Sequence, residues 1–154
     1  MPAPYAALLF VHILAAAFWV GGMALMHFAV RPAAVATLEP PQRLPFLAAT
    51  LERFFVGVST AIALLLASGL GMVWLAGGFA NVRWSVHAML ALGLVMMAIY
   101  LYIRFAPFPR LRNAVVARAW PVAASNLDSI RKLVGLNLLL GVIVFAFAVI
   151  GRAT

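Results

Sequence analysis

Four spans built on apolar runs, at approximately residues 5–30, 54–76, 84–105 and 126–150, the last apolar from Leu133 onward, constrain this chain more than any other feature. A helix rises about 1.5 Å per residue, so about 20 residues cross the roughly 30 Å of bilayer hydrocarbon. No water reaches the backbone there, and a lone apolar segment satisfies its own N–H and C=O groups only as a helix. The expected fold is an all-α integral membrane protein, a four-transmembrane-helix bundle forming a single domain over residues 1–154. Composition agrees: 67% of residues are hydrophobic and 9% charged, against about 25% charged in a soluble domain.

The ends of the runs are less sharply marked. Leu44, Leu47, Leu51 and Phe55 recur at helical spacing, which extends the second helix back toward Leu44. Ser125-Asn126-Leu127-Asp128 has the form of a capping box, so the fourth helix is expected to start near Ser125 with Asp128 in its positive first turn. Prolines 32, 40, 41, 45, 107, 109 and 121 punctuate the two longer connections and suit compact loops. The first run has no basic segment ahead of it and continues past Ala15-Ala16-Ala17, so it is expected to stay as a span and not to be cleaved as a signal peptide. No internal repeat is visible.

The formal charge of +8 comes from eleven basic residues placed at the ends of the apolar runs. A nucleic-acid surface needs a continuous basic face, so nucleic acid is not an expected partner. Arg31, Arg43, Arg53, Arg104, Arg110, Arg112, Arg118, Arg131 and Lys132 flank one side of the bundle, and Arg83 and Arg152 the other. By the positive-inside rule the first side is cytoplasmic and both termini face outward. Cysteine is absent, which excludes disulfides, thiolate metal sites, iron–sulfur clusters and covalent c-type haem. No carboxylate falls in the core of a span, which argues against a proton-relay pump.

His12 lies about seven residues into the first span and His87 about five into the third. Both spans run in the same direction, so a rise of about 1.5 Å per residue puts the two at nearly equal depth. His27 is roughly 22 Å deeper by the same rise, too far to share their site. An ionisable group inside a span is costly and points to a function. Two imidazoles from two helices match the axial pair of a haem b held between helices 1 and 3. The plainer reading is that each histidine hydrogen-bonds a neighbouring carbonyl or serine. Arg83, one turn from His87, suits an anionic haem propionate, or is an ordinary interfacial arginine. Met23, Met26 and His27 lie at about the depth of Met96 and Met97, and thioether plus imidazole is a soft ligand set for Cu(I); the same methionines also serve as core filler. Asn126, Arg131, Lys132 and Asn137 suit an anionic lipid head group or a quinone-like molecule, or interfacial snorkelling with one interhelical amide bond.

Val11-His12 followed by Phe18-Trp19-Val20-Gly21-Gly22 resembles the His-x₆-Trp-x-Gly-Gly pattern that opens the membrane domain of copper-resistance protein D. The same spacing is similar to the start of the bacterial membrane protoporphyrinogen oxidase family, a four-helix group that binds haem b. The first resemblance implies copper handling in a bacterial inner membrane. The second implies a haem b on His12, with Trp19 and Gly22 as part of the cofactor's surroundings. The chain departs from the oxidase pattern in having Ser85-Val86-His87 after Trp84 with no lysine, and in offering only Asn126 and Asp128 where an Asn-Glu element precedes the last span. Protoporphyrinogen oxidation is therefore not carried over.

Together these readings give a haem b protein ligated by His12 and His87, with a redox, electron-transfer or haem-handling role. A bis-histidine iron has no open position, so one-electron exchange with a quinone or another redox protein is the expected chemistry. The alternative is a copper-transport or copper-tolerance protein that uses the histidines and methionines as a relay. A purely structural subunit is the third reading. Membrane lipids are expected neighbours, and association into a homo-oligomer stays open.

Overall fold

The computed structural model describes residues 3–153, with side chains over 3–151. Helix α1 (Ala3–Leu25) passes through a π-helical turn (Met26–Val30) into α2 (Arg31–Thr37). Helix α3 (Pro40–Leu75) and a 3₁₀ turn (Phe79–Asn81) lead into α4 (Trp84–Phe105), α5 (Pro107–Val116) and α6 (Trp120–Ala153). Four of the resulting helical stretches are long and apolar enough to cross a membrane, and no strand occurs among the described residues. The all-α, four-span expectation is met.

Helix α1 packs along α3 and α4 along α6, and α6 also touches α1 and α3, so two antiparallel pairs close into one bundle. Two ends result. At the turn end, α1 begins beside the end of α3, and Arg83 ahead of α4 reaches Gly151 near the end of α6. At the other, basic end lie α2, α5 and the starts of α3 and α6. Lipid-facing positions carry large apolar side chains, including Phe10, Leu14, Val56, Leu139 and Val149. Exposed Trp74 and Trp84 flank the turn end, where amphipathic rings favour the membrane–water boundary.

The proline-rich connections are corrected by the structure. They are mostly helix, because all the prolines but Pro45, which lies inside α3, occupy first turns, where a missing N–H costs nothing. Pro40 opens α3, Pro107 opens α5, and Pro121 is the second residue of α6. Only Leu38 and Glu39 separate α2 from α3, both extended, as expected ahead of a proline for Glu39. The helical spacing of Leu44, Leu47, Leu51 and Phe55 is borne out: all four are buried within α3. The capping-box reading is not. Helix α6 starts at Trp120, so Asp128 lies beyond its second turn and pairs with Arg131 at 2.6 Å and Lys132 at 2.9 Å. Those i,i+3 and i,i+4 partners are what a helix interior offers a carboxylate.

The π turn also has a local cause. Pro32 has no N–H for the Phe28 carbonyl, and its ring would press on that carbonyl in a regular helix. The turn widens instead, with the Arg31 N–H donating to the Met26 carbonyl five residues back. At the far end of α3, Gly77 and Gly78 take positive φ (86° and 99°), and the Gly78 N–H returns to the Val73 carbonyl at 3.0 Å. That left-handed closure is open to glycine at little cost.

Short α5 completes the core at the basic end. Phe108 and Leu111 are both 0% exposed, and the Phe108 ring meets Phe55 edge-on at 4.9 Å. Its outer face carries Arg112, paired with Glu52 of α3 at 3.1 Å.

Candidate functional site

The sequence candidates fall at three levels of the bundle. At the turn end, His12 projects from α1 toward α3, where its Nδ1 lies 2.9 Å from Ser68 Oγ. The single Ser68 hydroxyl proton goes to the Leu64 carbonyl at 2.5 Å. Ser68 Oγ is then the acceptor for the Nδ1–H of His12, and the Leu65 carbonyl also takes a hydrogen bond from the ring. A histidine held this way has the orientation and tautomer of a metal ligand. The close fit depends on Gly69, where a Cβ would stand 3.2 Å from His12 Cε1.

His87 stands apart from this. It is exposed, its Nδ1–H donates to the Arg83 carbonyl at 3.3 Å, and its ring lies 6.0 Å from that of Phe79. No hydrogen bond or ring contact joins His12 to His87 among the described residues. Arg83 donates from Nη1 to the Gly151 carbonyl at 2.8 Å, closing the end of α6. The side chain of Arg152, the other basic residue on this side, lies outside the described residues. The haem b expectation gains no support from this arrangement.

Trp19 and Gly22 serve packing. Trp19 is buried and meets Tyr100 edge-on at 6.4 Å, and Gly22 lets the Phe54 ring of α3 lie against α1. Tyr100 OH, Ser59 Oγ and the Phe55 carbonyl form a closed triangle of 2.7, 2.9 and 3.0 Å. Two hydroxyl protons serve three contacts there, and no carboxylate or imidazole is present to drive chemistry.

The middle level holds the methionines. Met23 of α1 and Met96 of α4 are 2% and 3% exposed. Met96 Cε lies 3.4 Å from where a Cβ on Gly141 of α6 would stand, and Val20 of α1 approaches the same point. Met23 follows Val20 by three residues and so shares its face of α1 one turn further on, and Met23 and Met96 belong to one buried cluster. Asn137 of α6 adds the feature that sequence reasoning underrated: its Nδ2 donates to the Met96 carbonyl at 3.2 Å, while its Oδ1 is buried with no partner among the described residues. A buried amide oxygen without a donor costs about 1–3 kcal/mol. Met26 and Met97 are half-buried against the same core. No three His, Asp or Glu side chains cluster to hold a metal among the described residues. The donors in the interior are thioethers and one amide oxygen.

The third level is the basic end, where His27 sits in the π turn with its ring edge-on to Phe28 at 4.9 Å. It lines a cavity with Arg31, Leu51, Arg131 and Val134.

Compared with known protein families, residues 48–150 match the family described as copper resistance protein D (CopD). That stretch contains α4, most of α3 and α6, and all of α5, and it leaves out the His12–Gly22 motif of α1. No curated protein and no solved structure matches the chain. The resemblance to the protoporphyrinogen oxidase family has no support among these comparisons.

Proposed function

With the chain a member of the copper resistance protein D (CopD) family, we propose that it is a multi-pass protein of a bacterial inner membrane that passes Cu(I) through its helix bundle. The observation carrying this reading is that Met23 and Met96, on two different helices, are both buried in one core, where Asn137 donates to the Met96 carbonyl and keeps its Oδ1 without a partner among the described residues. Cu(I) is a soft cation that prefers thioether and imidazole ligands, and a hard divalent ion finds no carboxylate cluster here. His12 is the entry ligand at the turn end, its ring oriented by Ser68. Met23 and Met96 then hold the ion weakly enough to release it, as conduction through a low-dielectric core requires. Met26, Met97 and His27 extend the soft donors toward the basic end.

Cells expressing the wild-type chain, Met23→Leu/Met96→Leu and His12→Ala test this through their copper content and their growth on copper. Leucine keeps the volume and apolarity of methionine and removes only the sulfur. The expected result is a copper phenotype for wild type that the double leucine variant loses at equal protein level. Equal phenotypes for wild type and the leucine variant would overturn the thioether path.

A further inference from the structure

At the basic end, two adjoining cavities share Arg31, Leu47 and Leu127. The first is lined also by Arg43 and Asp128, the second also by His27 and Arg131. They lie where the π turn, the start of α3 and the first turns of α6 meet, so Pro32 and the widened turn help shape them. Arg131 and Lys132 are occupied by Asp128. Arg31 and Arg43 are half-buried, and their side chains make no ion pair or hydrogen bond among the described residues. The carboxylate that also lines the first cavity, Asp128, is taken up by Arg131 and Lys132, so the two guanidiniums repel each other and lack the acceptors that planar N–H forks require.

We propose that Arg31 and Arg43 clamp the phosphate of one anionic phospholipid at this cleft. The first cavity measures about 90 Å³, well below the roughly 300 Å³ or more of a small-molecule pocket, so it takes a phosphate-sized group and excludes a nucleotide. Beneath the guanidiniums the walls are apolar: Leu44, Leu47 and Leu127 continue into Leu51, Ile130 and Val134 of the second cavity. A free phosphate gains nothing from that surface, whereas a lipid lays the start of its acyl chains on it. Asp128, on the rim, selects for the single charge of a phosphodiester over a dianion by like-charge repulsion. Basic pockets between transmembrane helices hold lipid head groups by this combination of forked hydrogen bonds and apolar walls. The bound lipid would tie α2, α3 and α6 together at one point.

The test uses the full chain purified into phosphatidylcholine nanodiscs. Phosphatidylglycerol, added in steps, is read by the thermal unfolding midpoint and by retained lipid in native mass spectrometry, with inorganic phosphate as a parallel arm. The expected result is one retained phosphatidylglycerol and a saturable rise in midpoint. Arg31→Gln/Arg43→Gln should weaken this tenfold or more, and Arg110→Gln, an exposed basic residue on α5 outside the cleft, should leave it unchanged. If the double variant unfolds, Arg43→Lys takes its place and should weaken retention, because it keeps the charge and loses the fork. An equal midpoint rise with inorganic phosphate would overturn the lipid in favour of a free anion. Equal loss in Arg110→Gln, or undiminished retention when the cleft arginines are changed, would overturn the site itself.

Discussion

At the scale of single residues, the placement of one proton orients His12. Ser68 gives its hydroxyl proton to Leu64, so it accepts from His12 Nδ1. Ser68→Ala removes that acceptor and leaves a half-buried Nδ1–H without its partner. It should lower stability by about 1 kcal/mol, seen in thermal unfolding in detergent. It should also weaken Cu(I) binding by about 10- to 100-fold, the usual effect of losing the group that orients a ligating histidine. A variant that loses stability and keeps full Cu(I) affinity would remove His12 from the path. His12 was legible in the sequence, because an imidazole inside an apolar run stands out. Its partner was not: Ser68 is 56 residues away, and nothing in a single chain marks which of several small polar residues faces it. Asn137 was legible as an interhelical amide, and its unpartnered oxygen emerges only once the packing around it is known.

At the scale of elements, the apolar runs were readable because crossing a bilayer demands length and uniformity, which no folding context overrides. The helices between them were not. Proline reads as a break, yet at Pro40, Pro107 and Pro121 it sits in the first turn and starts a helix. Helix α5 shows what that conceals: Phe108, Leu111 and Ala114 repeat at helical spacing in a stretch whose prolines suit a compact loop. Phe108→Ala should cost about 3–5 kcal/mol, the usual penalty for emptying a fully buried aromatic site. Thermal unfolding would measure it, and a loss below about 1 kcal/mol would mean that α5 lies loosely on the bundle. The α1–α3 contact rests on close approach. A Cβ on Gly57 would stand 2.5 Å from the Phe18 ring, so Gly57→Val should destabilise by about 1–3 kcal/mol through overpacking. Stability unchanged in that variant would show that Phe18 swings out toward lipid at no cost.

At the scale of the whole molecule, orientation and cargo are linked. Nine basic residues gather at one end of the bundle and two at the other, so the positive-inside rule predicts an outward-facing His12 and an inward-facing Arg31–Arg43 cleft. A cysteine placed at position 154 should then react with an impermeant maleimide in intact spheroplasts, and labelling only after lysis would invert the bundle. Family and composition carry the chain as far as copper and the membrane. The choice between copper and haem depends on the interior, where Met23 and Met96 are buried and the two histidines of the turn end have different partners. The most direct measurement is an equilibrium titration of the purified protein with Cu(I) against a chromophoric chelator, with the absorption spectrum recorded beforehand. The expected result is a wild-type protein without a Soret band that binds Cu(I), and a Met23→Leu/Met96→Leu variant that is folded and binds less. A haem spectrum in wild type that His12→Ala abolishes, with no Cu(I) taken from the chelator, would contradict it.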